Sequence, residues 1–125
     1  MAQWKGQYSG RTHESRVADV EASLRVAVEA LRTATEKDRK NKARSARLLA
    51  ERVLLARIRQ IKARRSEYAE RAAGGLSQAQ DAVASMSHRL QELETAGVFG
   101  ILREFGVEDV DLVLGSRSNN RWRGP

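Results

Sequence analysis

The stretch DRKNKARSARLLAERVLLARIRQIKARR, residues 38–65, decides the fold because its pattern predicts a helix with apolar residues on more than one side. One apolar seam, which runs on beyond this stretch, consists of Ala43, Ala46, Ala50, Leu54, Ile58, Ile61, Tyr68 and Ala72. Leu48 and Leu55 form a second stripe, and Leu49 and Val53 begin to close the gap between the two. A helix that is apolar on several sides normally packs against more than one neighbour. The sequence therefore predicts a central helix with a partner on either side.

The segments before and after this helix each carry a single apolar seam. Residues 12–35 place Val17, Val20, Leu24, Ala27, Leu31 and Ala34 on one side. Residues 77–96 place Ala79, Val83, Met86, Leu90 and Leu93 on one side, after a possible capping box formed by Ser77 and Gln80. Steps of three and four residues are typical of helices that pack lengthwise, as in a coiled coil. We therefore predict an all-α fold, an antiparallel three-helix bundle or long helical hairpin with its middle helix over 40–73.

Two boundaries separate the predicted helices. The seam of the first helix ends after Ala34, where the polar stretch TATEKDRKNK (33–42) predicts a turn. The alternative is one continuous helix over 12–73 that is shared with a second protomer. Gly74 and Gly75 predict the end of the middle helix, because a glycine adopts the left-handed conformation of a helix C-terminus without steric cost.

The remaining residues define the domain limits. VFGILREFG (98–106) predicts a short helix ended by Gly106, and 107–115 fits a strand or a helical turn, of which we prefer the helix. We expect a flexible N-terminal arm over 1–11, a single helical domain over 12–115 and a flexible basic tail over 116–125.

The positive charge is concentrated in one segment. The 125 residues contain 23 lysines and arginines against 16 aspartates and glutamates, a net charge of +7. Residues 37–65 hold twelve of the cations and only two carboxylates, or +10, so the rest of the chain is mildly acidic. Clustered cations attract polyanions, above all the phosphates of nucleic acids, with little sequence specificity.

We interpret these cations as a nucleic-acid surface and the exposed apolar residues as a protein interface. The candidate nucleic-acid contacts are Lys37, Arg39, Lys40, Lys42, Arg44, Arg47, Arg52, Arg59, Lys62, Arg65, Arg121, Trp122 and Arg123. The candidate interface residues are Leu48, Leu55, Trp4 and Trp122. An acidic protein is the competing partner. A third interpretation is a solvated charge face whose cations pair with Glu21, Glu29, Glu92 or Glu94 on neighbouring helices.

The sequence lacks the residues of a catalytic or metal site. It has no cysteine, and its two histidines, His13 and His88, have no metal-ligand spacing. No phosphate-binding loop or nucleophile–base set is recognisable. The N-terminus has no apolar signal-like run, and the longest aliphatic run is VLLA at 53–56. We expect a cytoplasmic protein that is not an enzyme and has no cofactor, no metal and no membrane partner.

Two functional hypotheses follow from the charge and the apolar stripes. The first is a non-enzymatic subunit of a larger complex that contacts a nucleic-acid backbone, DNA or RNA, through residues 37–65. The alternative is a structural or adaptor protein that forms a homo-oligomer or docks on an acidic partner. Besides these two, an antitoxin-like or inhibitor role is a third hypothesis, because small basic helical proteins often neutralise acidic partners.

Overall fold

Three α-helices account for most of the chain. A computed structural model describes residues 2–108, with side chains from residue 13 onward. The helices are α1 (Ala2–Thr33), α2 (Arg39–Ala73) and α3 (Ser77–Glu104). Both α1 and α3 pack along α2, and they scarcely touch each other. The all-α bundle and the central position of the second helix are thereby confirmed.

The connection between α1 and α2 is a tight turn over residues 34–38. The amide of Ala34 donates to the carbonyl of Leu31 at 3.3 Å, and the amide of Lys42 donates to the carbonyl of Asp38 at 3.0 Å. Between these bonds the backbone leaves the helix and reverses. The predicted turn is confirmed, and the continuous helix over 12–73 is wrong.

The start of α1 differs from the prediction. The helix begins at Ala2 rather than at residue 12, so the backbone of the predicted N-terminal arm is helical as well. This part of α1 contains Gly6 and Gly10, which disfavour a helix by about 1 kcal/mol each relative to alanine but do not break it as proline would.

The buried core lies between the turn-side halves of α1 and α2 and the end of α3. Leu24, Val53 and Leu102 are fully enclosed, one from each helix. Small residues line the same side of α2 and let its neighbours approach closely; these are Ala43, Ala46 and Ala50. Ile101 and Val107 complete the cluster from the C-terminal side. The seams predicted for all three helices are buried or half-buried as expected.

A kink at Gly97 divides α3 into two helical parts. Gly97 has φ 60° and ψ −154°, values outside the helical region, and the helix resumes at once and runs to Glu104. Gly106 follows the C-cap residue Phe105 and has φ 89°. There the amide of Val107 donates to the carbonyl of Leu102 at 3.0 Å, as in a Schellman motif. The short helix predicted over 98–106 is therefore confirmed.

The loop between α2 and α3 confirms one prediction and corrects another. Gly75 reverses the chain with φ 95°, as the glycine pair predicted. The capping box is wrong, because Leu76 occupies the N-cap position with φ −77° and ψ 113° and no side chain caps the helix. Ser77 is already helical, so its hydroxyl is one position too late. The predictions for 109–115 and for the tail lie outside the described residues.

Candidate binding surface

The predicted cations of residues 37–65 lie on the surface of the bundle. Lys37 is in the turn, and the others are on α2. Arg47 and Arg65 are half-buried, and the guanidinium of Arg65 donates to the hydroxyl of Ser87 at 3.4 Å. The exposed cations are Lys37, Arg39, Lys40, Lys42, Arg44, Arg52, Arg59 and Lys62. Among the residues that the structure describes, none of these ten side chains forms an ion pair.

The two remaining cations of the segment are held by carboxylates of other helices. Arg64 pairs with Glu14 of α1 at 3.0 Å, and both side chains are largely exposed. Arg57 pairs with Glu21 of α1 at 2.8 Å and with Glu104 of α3 at 2.6 Å. The pairing that we considered for the whole segment thus applies to the side of α2 that faces α1 and α3.

Arg57 joins all three helices. Its Nη1 and Nη2 atoms donate to the two oxygens of Glu104 at 2.7 and 2.6 Å, and its Nε donates to Oε2 of Glu21 at 3.0 Å. The ring of Phe105 lies 5.9 Å from the guanidinium carbon, within the range of a cation–π contact. The hydrogen bond to Glu104 raises the pKa of Arg57 above its ordinary value, and in return it lowers the pKa of Glu104.

Sequence reasoning left this cluster out of the candidate site. On the helical projection Arg57 lies beside the apolar seam of α2, and a cation in that position needs a carboxylate from a neighbouring helix. That signal identifies a half-buried arginine, but it does not select Glu21 and Glu104 among the available carboxylates. The cluster contributes to the packing of the bundle, and its cation is not free to meet an external anion.

The side of α2 that faces away from both neighbours carries what we call the outer strip. It consists of Arg44, Leu48, Arg52, Leu55, Arg59 and Lys62. Their spacing of three and four residues aligns them along one exposed side of the helix, over roughly 27 Å at 1.5 Å per residue. The strip therefore combines four cations with two aliphatic side chains.

Leu48 and Leu55 are exposed even though they lie in the middle of the central helix. Their relative exposures are 45% and 52%, whereas their neighbours Leu49 and Leu54 are half-buried and Val53 is fully buried. The described part of this chain offers the two leucines no covering element. The role of the two leucines as a protein interface stays a prediction. The other predicted contacts lie outside the described side chains, and their roles stay predictions as well: Trp4, Arg121, Trp122 and Arg123.

A groove of about 430 Å³ runs between α1 and α3 with α2 as its floor. Val17, Ile61, Met86 and Leu93 supply its apolar lining, and the Arg57 cluster lies along it. The groove brings together no nucleophile and base. Within residues 13–108, where side chains are described, no group of three potential metal ligands occurs. His88 contacts Glu92 at 3.5 Å on the exposed side of α3, as neighbours one turn apart do.

None of the helices in the described part of the chain is long and apolar enough to cross a lipid bilayer. Comparison with protein-family models, curated proteins and solved structures finds no match. Function is therefore inferred from the surface itself.

Proposed function

We propose that this chain is a non-enzymatic helical binding subunit whose basic surface contacts the phosphate backbone of a nucleic acid. The observation that carries the proposal is the division of charge on α2. The carboxylates of α1 and α3 engage Arg57 and Arg64, and ten other cations of 37–65 remain without a carboxylate among the described residues. The proposed contacts are Lys37, Arg39, Lys40, Lys42, Arg44, Arg47, Arg52, Arg59, Lys62 and Arg65, together with Arg121, Trp122 and Arg123 of the tail.

The density of charge favours phosphate recognition over a merely solvated face. Five of these cations fall within residues 37–44, around the turn and the first turns of α2, and all five are exposed. Exposed lysines and arginines release the counterions of a nucleic acid and so give affinity with little dependence on base sequence. The proposal therefore covers DNA and RNA alike.

A second candidate function is protein assembly, and the exposure of Leu48 and Leu55 supports it. In this candidate the chain is an adaptor that forms a homo-oligomer or docks on an acidic protein, with Trp4 and Trp122 as further anchors. The two candidates are compatible in a subunit of a larger complex. The proposed setting is cytoplasmic, with no cofactor and no catalytic reaction.

The test is a pair of charge-reversed variants with the same net charge. The first reverses Arg39, Lys40, Lys42 and Arg44 to glutamate. The control reverses four exposed arginines elsewhere on the bundle: Arg16, Arg71, Arg89 and Arg103. Fluorescence anisotropy with labelled duplex DNA and single-stranded RNA measures binding, and circular dichroism checks that both variants fold.

We expect the first variant to lose binding and the control to keep most of it, because position on the surface decides phosphate contact. Equal affinity of the first variant and the unchanged protein would remove the proposal. Equal loss in both variants would reduce it to a general effect of net charge.

A further inference from the structure

The basic surface has two chemically different parts. Around the turn, Lys37, Arg39, Lys40 and Lys42 form an exposed group with no large exposed aliphatic side chain among them. The outer strip that begins at Arg44 contains two exposed leucines. A phosphate chain gains nothing from an exposed leucine, so the strip calls for a partner with an apolar component.

We propose that the outer strip is a docking site for an acidic amphipathic helix of another protein. This inference rests on the second candidate function, docking on an acidic protein, and specifies its partner; it does not depend on the nucleic-acid proposal. Leu48 and Leu55 are seven residues apart, about 10.5 Å along the helix, which is the repeat by which two helices pack lengthwise. Arg44, Arg52 and Arg59 flank them at distances of three and four residues. A partner helix with aliphatic residues every seventh position and glutamates beside them matches both features.

The leucines and the cations of the strip would contribute differently to such a contact. Leu48 and Leu55 begin about half exposed, so a partner helix that covers them removes apolar surface from water. The cations at the edges of the strip add attraction for carboxylates and exclude basic partners. The leucines provide the central contact, and the charges provide selectivity.

Charge also argues against a second copy of this chain as the occupant. Two outer strips packed face to face would bring Arg44, Arg52, Arg59 and Lys62 of one copy against the same residues of the other. Like charges brought together at an interface disfavour the complex. Glu51, at the edge of the strip, is the single carboxylate within residues 44–62. One anion cannot offset four cations on each side.

The experiment uses a three-heptad synthetic peptide with leucines at the first and fourth positions and glutamates on the flanks. A second peptide, with its leucines replaced by serine, keeps the charge. The protein variant is Leu48→Ser with Leu55→Ser. The control variant, Val26→Ser with Leu76→Ser, removes two exposed apolar side chains elsewhere, at 71% and 57% exposure.

We expect the leucine peptide to bind the unchanged protein and the control variant alike. The variant at Leu48 and Leu55 should bind it at least about tenfold more weakly, a loss of roughly 1.4 kcal/mol. The serine peptide should bind all forms weakly. Equal binding of the leucine peptide by both protein variants would overturn the proposal, since the association would then be electrostatic alone.

Two further measurements separate the other occupants. Light scattering at two concentrations detects self-association, and a dimer that dissociates on Leu48→Ser with Leu55→Ser would assign the strip to a second copy and overturn the proposal. If Leu48→Ser with Leu55→Ser loses affinity for nucleic acid, the leucines belong to the phosphate-binding surface, and the docking proposal is overturned as well. We expect a monomer and unchanged nucleic-acid binding. If the variant with Arg39, Lys40, Lys42 and Arg44 reversed to glutamate still binds nucleic acid, only the nucleic-acid proposal is removed.

Discussion

Arg57 and Glu104 are joined by two parallel hydrogen bonds, Nη1 to Oε1 at 2.7 Å and Nη2 to Oε2 at 2.6 Å. This bidentate geometry is the strongest arrangement for a guanidinium and a carboxylate. Because Glu104 is the last residue of α3, the pair fastens the kinked end of that helix to α2. Glu21 extends the contact to α1.

Replacement of Arg57 by methionine should destabilise the bundle by about 2 kcal/mol. Removal of one partner from a fully buried pair costs about 3–5 kcal/mol, and the value is smaller here because the Glu104 side chain is 53% exposed. Arg64→Met is the matched control, since its exposed pair with Glu14 contributes about 1 kcal/mol or less. Urea denaturation measures both. Equal effects of the two variants would contradict the role assigned to Arg57.

The Arg57–Glu104 pair should also make stability depend on pH in the acidic range. The pKa of Glu104 in the folded protein lies below its ordinary value of 4.5, so the folded state binds the proton less readily than the unfolded chain. The stabilisation is therefore present above pH 4.5 and is lost as the pH falls through the lowered pKa. Because the carboxylate is half exposed, the effect is about 1 kcal/mol or less.

Glu104→Gln provides the measurement for this prediction. The difference in unfolding free energy between the unchanged protein and the variant should be largest near neutral pH and should shrink towards zero in strong acid. A difference that stays constant between pH 7 and pH 3 would show that the charge of Glu104 is not what stabilises the contact.

The kink at Gly97 predicts that any side chain at this position destabilises the fold. Its φ of 60° and ψ of −154° belong to a region that only glycine occupies readily. Gly97→Ala should therefore lower the unfolding free energy by about 1–3 kcal/mol in urea denaturation. Gly74, with an ordinary φ of −82°, serves as the control, and its replacement by alanine should cost less, because only the contact of the new methyl group with the Arg71 carbonyl at 3.3 Å has to relax. If Gly97→Ala leaves the unfolding free energy unchanged, the kink is absent and α3 is straight in solution.

Periodicity alone predicts most of the fold. The three- and four-residue spacing of Leu24, Leu31 and Leu90 assigns them to helix seams, and these leucines are buried. Val28 lies next to the predicted seam and is buried as well, because the apolar side of a packed helix is wider than one line of residues. Features that depend on tertiary context were harder to predict. Ser77 and Gln80 have the spacing of a capping box, but Leu76 occupies the N-cap position of α3 and no side chain caps the helix.

The candidate surface follows a similar division. On a helical projection Arg57 and Arg64 lie near the apolar seam of α2, and these two arginines pair with other helices. Arg39, which is assigned to nucleic acid, lies on the same side of the projection but in the first turn of α2, and it is exposed. The proposed partner of the exposed cations is an external molecule, so both its existence and its identity stay predictions.

The salt dependence of nucleic-acid binding tests the central claim most directly. Affinity for duplex DNA is measured over a range of salt concentrations, for the unchanged protein and for the variant with Arg39, Lys40, Lys42 and Arg44 reversed to glutamate. Four to six phosphate contacts predict a slope of about −4 to −5 in the plot of log affinity against log salt, with binding lost in the variant. A slope near zero, or the same affinity in the variant, would contradict the claim that these cations meet a phosphate backbone.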